Sequence, residues 1–252
     1  MSRNIEQIVE RQAHKWHQEQ QNREKAAQER PLLTPNVVTI SNAFGSQATV
    51  VGHKVGEILN VPVYDRQILE HIATHAKVKV QTVETLDERA LGAIDNYITS
   101  LFHQASFDQS DYLRELTKTI TALWHHGPCV MIGHGSTRIV DKKHSLRVRI
   151  TAPDAMRLAR IQDLERLDKD AARKRMRAID DERKRFHERC FGANVYDPMN
   201  YDLTLNCGTL GVTSCAHIVV EAYQRMFSAP TTDDLVQEEL ANRLSILPKS
   251  PG

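Results

Sequence analysis

The chain has 252 residues, of which 40% are apolar and 26% charged, and its formal net charge at pH 7 is +1. This length suits one sizeable α/β core with appendages, and the balanced charge disfavours a chain built to coat nucleic acid or an anionic membrane surface. Because no apolar run reaches the roughly 20 residues of a membrane helix and no signal-peptide pattern is found, we expect a cytoplasmic protein without a membrane partner.

Residues 1–35 are predicted to form a polar helical arm. Ile5, Ile8 and Trp16 lie sparsely along a stretch rich in Gln, Glu, Arg and Lys, which prolines then interrupt. So thin an apolar stripe suits a solvated arm, and equally a helix that packs on a second subunit of a homo-oligomer.

A strand, a turn and a helix are predicted across residues 37–59. An apolar run opens the segment, Gly45 and Ser46 mark the turn, and apolar residues then recur at helical spacing. A helix N-terminus after such a turn presents backbone N–H groups and a positive dipole end to an anion. The usual phosphate loop reads G-x-x-x-x-G-K-[ST], and of these side chains residues 42–49 keep only Thr49. An ordinary connection from strand to helix therefore remains an alternative.

A second, short strand is predicted at residues 61–64, followed by Asp65 and a helix from Arg66. A carboxylate at the carboxyl end of a parallel strand is well placed for a ligand. The same residue type also caps helices, and the sequence alone favours the cap.

Residues 77–126 are mostly helical by pattern, which indicates an inserted helical region between two strands. Residues 129–132 then form a predicted buried strand that ends in the turn Gly133-His134-Gly135-Ser136. The turn does not match the G-x-S-x-G pattern of a hydrolase nucleophile. Residues 146–150 alternate with period two and are predicted to be the next strand.

The segment from Met156 to Cys190 is helical and basic, with twelve Lys or Arg against eight Asp or Glu. Most such runs are solvated helix faces. A cationic lid over phosphate is the second interpretation, because arginine forks match phosphate oxygens. An RNA-binding surface is the third, and the absence of interleaved aromatic residues disfavours it.

The chain closes with a predicted strand at 201–206, a helix at 212–226 and a tail at 229–252 that carries a short amphipathic helix over Leu235, Val236, Leu240 and Leu244. The four cysteines form no C-x-x-C pair or disulfide framework, and Cys129 and Cys207 are predicted to be small core residues within strands. The order of elements predicts a three-layer α/β fold with a parallel sheet.

Five segments together resemble the cytidylate kinase-like family, a branch of the P-loop nucleoside monophosphate kinases. They are VVTISNAFGS, VPVYDRQIL, CVMIGHGS, RMRAIDDERKRFHERCFG and YDLTLNCGTLGV, in this order. The resemblance covers about residues 36–227, within a domain placed at 36–228. It implies a five-stranded parallel sheet, a monophosphate-binding region within 77–126 and a lid within 156–192.

The resemblance also implies transfer of the γ-phosphoryl group of ATP, with Mg²⁺, to CMP, dCMP or a related small phosphate acceptor. Catalysis in such enzymes is positioning and charge neutralisation. The resemblance assigns catalytic roles to Asp180, Arg183 and Arg177. It assigns nucleotide and phosphate contacts to Gly45, Ser46, Gln47, Ala48, Thr49, Asp65, Arg66, His134 and Arg138, with Thr49 also facing Mg²⁺ through the nucleotide.

The chain departs from the family where the family places cations or glycines. Gln47, Ala48 and Thr49 stand where the branch commonly has Gly-Gly-Arg, and His134 stands where an arginine is frequent. Losing a phosphate-clamping cation typically costs a few kcal/mol of transition-state stabilisation. Two hypotheses follow: a working nucleotide kinase, or an impaired relative that binds a nucleotide as a sensor or as part of an oligomer. A metal hydrolase using His125, His126 and His134 is a distant third, because the HExxH spacing is absent.

Overall fold

The computed structural model describes residues 35–74, 88–104 and 110–228, together with 86, 107, 108 and the positions 7, 8, 10–12, 15, 16 and 18. The predicted amphipathic helix of the tail at 229–252 lies outside the described residues. So do most of the arm and residues 75–85 of the helical region.

The secondary structure alternates between strands and helices. In chain order the elements are β1 (Val37–Asn42), α1 (Ala48–Leu59), β2 (Val63–Tyr64), α2 (Arg66–Thr74), α3 (Glu88–Phe102), α4 (Asp111–His126), β3 (Val130–Ile132), α5 (Ser136–Ile139), β4 (Ser145–Thr151), α6 (Asp154–Glu165), α7 (Lys169–Phe191), a 3₁₀ turn (Pro198–Asn200), β5 (Leu203–Asn206) and α8 (Cys207–Phe227). Of the predicted helical region at 77–126, the described part contains α3 and α4.

The five strands form one sheet in the order β2-β3-β1-β4-β5, and every neighbouring pair is parallel. Thr39 on β1 pairs with Met131 on one side and with Arg147 on the other, so β1 is the central strand. Helices cover both faces of the sheet. The expected three-layer fold with a five-stranded parallel sheet is confirmed.

Each face of the sheet has its own apolar core. On one face α1 and α8 pack against Val38 and Ile40. A Cβ on Gly52 of α1 would lie 2.4 Å from Ile132 Cδ1, so this glycine lets the helix approach the sheet. On the other face α2, α3 and α4 pack with the C-terminal end of α7 around residues such as Leu123 and Phe191.

The basic segment is a hairpin of two helices and not one long helix. α6 ends at the left-handed residue Arg166 (φ 53°), and Asp168 then caps α7 by accepting hydrogen bonds from the N–H groups of Asp170 and Ala171. We call α6 and α7 the basic hairpin. Its turn brings α7 back across the carboxyl end of the sheet.

Three boundaries differ from the sequence-based expectation. Cys207 is the first residue of α8, and Cys129 immediately precedes β3, so neither lies within a strand, although both are buried as expected. α8 begins at residue 207 because the Asn206 side chain caps it, and Gly211 (φ 74°) then kinks it. The pattern after residue 212 showed only the part of the helix beyond this kink.

Trp16 of the N-terminal arm lies against the body of the domain. Its ring stacks on His126 with 4.0 Å between centroids, and only 4% of the residue is exposed. Neither interpretation of the arm included a contact with the core of its own chain. Among the described helices none combines the length and the apolar character that crossing a bilayer requires.

Candidate functional site: a phosphate loop beside a cavity

The loop between β1 and α1 turns on two left-handed residues. Gly45 has φ 79°, and Gln47, the N-cap of α1, has φ 65° with no side-chain cap. Only a glycine fits at position 45, because a Cβ there would lie 2.9 Å from the carbonyl oxygen of Arg157. This geometry keeps the loop wrapped around the start of α1.

The loop leaves several backbone donors free. Within the described part of the chain, the N–H groups of Gly45, Gln47, Ala48 and Thr49 have no acceptor. Unsatisfied N–H groups at a helix N-terminus attract anions, and the helix dipole adds to the attraction. The loop therefore has the backbone chemistry of a phosphate site although it contains no lysine.

Two hydroxyl groups belong to the same loop. Ser46 is 1% exposed and its Oγ has no hydrogen-bond partner in the structure. Thr49 lines the large cavity beside the loop, and its hydroxyl is a hard oxygen ligand of the kind that Mg²⁺ takes. The loop thus fits a Mg²⁺-bound phosphate, and the ion, when bound, would neutralise phosphate charge there.

Asp180 of α7 binds the loop. One carboxylate oxygen accepts a hydrogen bond of 3.0 Å from the Phe44 N–H, and the other pairs with the Arg157 guanidinium. Arg157 also donates from Nε to the Phe44 carbonyl at 2.7 Å and pairs with Asp154 at 3.0 Å. Asp180 therefore holds the loop, and it occupies one of the loop N–H groups.

Arg183 lies one turn further along α7 and bridges the loop and the cavity. Its Nη1 donates to the Asn42 carbonyl at 2.9 Å, and its guanidinium lies 5.6 Å from the centre of the Phe44 ring. Burial, and then the nearby Arg66 charge, lower the pKa of Arg183 to about 10. Arg183 remains charged at neutral pH and, unlike Arg157, also lines the cavity beside the loop.

The cavity beside the loop has a volume of 940 Å³, which suits a small-molecule ligand. Its lining brings together residues from β1, α1, α2, the turn after β3, and α7. They include Thr49, Arg66, His134, Arg183, Arg185 and Arg189. We call it the loop cavity.

Arg66 and His134 form part of a polar network at one wall of the loop cavity. Arg66 pairs with Glu182 of α7 at 3.2 Å. His134 Nε2 lies 3.1 Å from both Glu70 Oε2 and the Arg66 carbonyl, and Tyr112 donates to Glu70 at 3.2 Å. Burial lowers the pKa of His134, with the Glu70 charge acting against it, whereas burial and Glu70 raise that of Tyr112 to about 12.

Sequence reasoning missed three residues at or next to the loop cavity: Tyr112 and His187 line it, and Glu70 contacts His134. His187 is 7% exposed, and its pKa falls to about 4 because it is buried and because Arg138, Arg149 and Arg183 lie near it. Glu70 and Tyr112 belong to none of the five segments that carry the resemblance, and His187 lies in RMRAIDDERKRFHERCFG, where no role was assigned to it.

Three residues assigned by the resemblance lie away from the loop cavity. Asp65 caps α2 through the N–H groups of Gln67 and Ile68, and it is not part of the lining. Burial acts to raise the pKa of Asp65, but these bonds and His53 lower it overall. Arg138 donates to Asn200 at 2.8 Å.

Arg177 also lies elsewhere, because it lines a second cavity on the other side of α7. The resemblance placed Arg177, Asp180 and Arg183 together. Asp180 and Arg183 make hydrogen bonds to the loop backbone, whereas Arg177 lines the second cavity together with Asp180 and Ala43. Among the described residues, no group of three or more His, Cys, Asp or Glu side chains could hold a metal ion.

The comparisons with known proteins agree with this geometry. The pattern of the cytidylate kinase-like family matches residues 37–209. No curated protein matches the sequence.

Among solved structures, an uncharacterized protein from Eubacterium ventriosum is 19% identical, with a TM-score of 0.60, and the alignment covers 75% of this chain and 98% of that one. This likeness shows a shared fold. A shikimate kinase from Bacteroides thetaiotaomicron is 12% identical over 77% of this chain and 99% of its own, with a TM-score of 0.40. A dephospho-CoA kinase from Campylobacter jejuni is 13% identical over 77% and 98%, with a TM-score of 0.32.

Proposed function

The chain belongs to the cytidylate kinase-like family, and on that premise we propose that it transfers the γ-phosphoryl group of ATP to CMP, dCMP or a related small phosphate acceptor. The observation that carries the proposal is the row of free N–H groups at Gly45, Gln47, Ala48 and Thr49, which opens beside a cavity large enough for an acceptor. The donor phosphates would lie on these N–H groups.

The acceptor would lie in the loop cavity, on the side of Arg66 and His134. The cavity lining contains four arginines and two glutamates, so an anionic acceptor is favoured. Arg66 reaches the cavity from α2, while Arg183 reaches it from α7. A phosphate acceptor needs no deprotonation by a strong base, which agrees with a site built mainly of cations.

Catalysis would depend on placing donor and acceptor in line and on neutralising the charge of the transferred group. Arg183 is the side chain best placed for the second task, because it touches the loop backbone and faces the cavity. Mg²⁺ bound to the nucleotide near Thr49 would supply the remaining positive charge. No covalent intermediate on the protein is required.

A panel of nucleoside monophosphates with ATP and Mg²⁺ tests the proposal. We expect a phosphorylated product with at least one monophosphate, and loss of that product in Arg183→Met. Lys184→Met is the matched control, because Lys184 is an exposed neighbour on α7 that lines neither the loop cavity nor the second cavity beside α7. The proposal fails if no monophosphate is converted above background.

A second function is favoured by one observation at the loop. Ala48 stands where a phosphate loop carries its lysine, and the Asp180 carboxylate accepts the Phe44 N–H. A nucleotide would then bind without turnover, and the protein would act as a sensor or as a component of an oligomer. ATP should raise the melting temperature while yielding no product.

The double variant Gln47→Gly/Ala48→Lys separates the two functions. A natural kinase should be active before the substitutions are made, whereas an impaired relative should gain activity only with them. If no nucleotide changes the melting temperature of the wild-type protein at millimolar concentration, the sensor function is excluded.

A further inference from the structure

A second cavity of 650 Å³ lies between the basic hairpin, the end of β4 and the loop before the 3₁₀ turn. Its lining shares no residue with the loop cavity. Arg157 and Asp180, which hold the phosphate loop, form part of the wall nearest the loop. We call it the hairpin cavity.

A buried arginine faces this cavity without a carboxylate partner. Arg149 of β4 is 7% exposed, and no Asp or Glu lies within ion-pair distance of it in the described ranges. Its Nη1 donates to Ser41 Oγ at 3.1 Å, and its guanidinium lies 5.3 Å from the Tyr196 ring and 5.6 Å from the Tyr201 ring. A buried charge is normally paired, because removing it from water is costly.

The surroundings hold Arg149 in a fixed position. The Tyr201 hydroxyl donates to the Val195 carbonyl at 2.9 Å and lies 3.2 Å from Ser41 Oγ, so its ring is fixed beside the guanidinium. Tyr196, whose ring also lies beside the guanidinium, is 50% exposed and borders the cavity. The arginine is therefore positioned before any ligand arrives.

The other charges around the cavity leave a cationic surplus. Five cations line it, namely Arg149, Arg157, Lys169, Arg173 and Arg177, against three carboxylates, Asp154, Asp180 and Asp181, so the net lining charge is +2. Asp154 and Asp180 already pair with Arg157. Only Asp181 remains to balance the other four cations within the lining.

We propose that the hairpin cavity is a second anion site, which binds a phosphate-bearing small molecule on Arg149 independently of the phosphate loop. Its volume lies within the range of about 300–1,000 Å³ typical of small-molecule sites, so it holds more than an inorganic ion. Arginine forks bind phosphate oxygens in pairs, and the half-exposed ring of Tyr196 offers a stacking surface to a planar group.

Calorimetric titration of the full chain at physiological ionic strength tests the site, with pyrophosphate and phenyl phosphate as probes. A non-hydrolysable ATP analogue with Mg²⁺ and CMP are present in excess to fill the phosphate loop and the acceptor side of the loop cavity. We expect each probe to bind once, and Arg149→Met to weaken that binding at least about tenfold, since hydrogen bonds to charged groups contribute about 1.5–3 kcal/mol. Tighter binding of phenyl phosphate would identify an organic ligand with a planar group, and tighter binding of pyrophosphate a plain oligophosphate.

A second variant keeps the test valid if Arg149→Met does not fold. Lys169 and Arg173 are exposed cations of the lining, and Lys174, equally exposed on the same helix, lies outside it. Lys169→Gln/Arg173→Gln should weaken the binding, and Lys174→Gln should not. Equal loss in all variants, or no loss in any, would overturn the proposal.

The proposal does not depend on the kinase function. If the ATP analogue fails to bind, the affinity for pyrophosphate should still depend on Arg149. If instead the analogue binds and neither probe produces heat above the buffer control, the hairpin cavity is not an anion site.

Discussion

The phosphate loop and the turn at Gly133–Gly135 follow neighbouring strands, and α7 holds each by a different chemistry. It holds the loop by polar contacts, from Asp180 to the Phe44 N–H and from Arg183 to the Asn42 carbonyl. It holds the turn by close aromatic packing. A nucleotide phosphate can replace a carboxylate at an N–H group, whereas nothing replaces a buried ring. A nucleotide can therefore replace the polar contacts made by the middle of α7, whereas the packing at its C-terminal end is permanent.

The same comparison shows that glycine content does not identify an anion site. The turn has two glycines and a left-handed His134, but it leads only into the four-residue helix α5, and its Gly133 N–H donates to the Ile40 carbonyl. The phosphate loop has one glycine and leaves four donors free. What matters is which N–H groups remain unsatisfied at the start of a long helix.

The largest effect is expected for Gly135→Ala, which breaks the aromatic contact. Gly135 has φ 70°, and a Cβ would lie 2.4 Å from two ring atoms of the fully buried Phe191. Left-handed strain and overpacking together should lower the free energy of unfolding by about 3–4 kcal/mol. Urea unfolding measures this. Gly92→Ala in α3 meets no atom within 4 Å and should stabilise by up to ~1 kcal/mol; equal midpoints for the two variants would contradict the packing argument.

A pH titration of stability tests the C-terminal end of α7, where His187 is buried. Its pKa is lowered to about 4, so the unfolded chain binds more protons than the folded one between about pH 6.5 and pH 4. The free energy of unfolding should therefore fall by about 3 kcal/mol as the pH drops through this range, since each pKa unit corresponds to about 1.4 kcal/mol. His187→Asn should reduce this slope. An unchanged slope would mean that another group is responsible.

Asp180→Asn tests the polar contact at the middle of α7. The substitution leaves the Arg157 guanidinium, whose side chain is 8% exposed, with one carboxylate instead of two, so a loss of about 2 kcal/mol is expected. The loop should become more accessible to nucleotide, which titration with ATP would show. Asp170→Asn, which breaks the exposed pair with Arg173, should change stability by less than about 1 kcal/mol.

The smallest effect is expected for a substitution of Ser46, which should change stability and ATP binding in opposite directions. Its Oγ is buried without a partner, so Ser46→Ala should be neutral or stabilising by up to ~1 kcal/mol while weakening ATP binding. Thr39→Ala is the contrasting variant, because its hydroxyl is bonded to Ser145 at 2.7 Å. It should destabilise by about 1 kcal/mol and leave ATP binding unchanged. Weakened stability in Ser46→Ala would show that the hydroxyl has a structural role.

The fold could be predicted from the sequence because its signals are local. Apolar runs such as Cys129 to Ile132 and helical spacing in 88–126 each lie within a short window, and their order restricts a parallel sheet to few topologies. The break in the basic segment was missed, since residues 166–168 contain no glycine or proline. It depends on Arg166 adopting a left-handed conformation.

The candidate site was predictable in part. Gly45, Ser46 and Thr49 lie at the loop, and Arg66, His134 and Arg183 line its cavity, as the resemblance implied. Asp65 lies elsewhere because its carboxylate caps α2. Arg177 lies elsewhere because it is on the face of α7 that lines the second cavity. Glu70 and Tyr112 could not be found from the sequence, since no motif contains them and they meet His134 only through packing.

The sequence by itself determined the order of elements, the parallel sheet and the place of the phosphate loop at residues 42–49, because strand and helix periodicities and turn residues are encoded locally. Only the tertiary structure decided how the loop is held and where its cation comes from. Asn42 and Arg183 are separated by 141 positions in the chain, and Ser41 and Arg149 by 108. Position 48 carries no lysine, and the cations at the loop are Arg183 of α7 and Arg157 of α6, which only folding brings there.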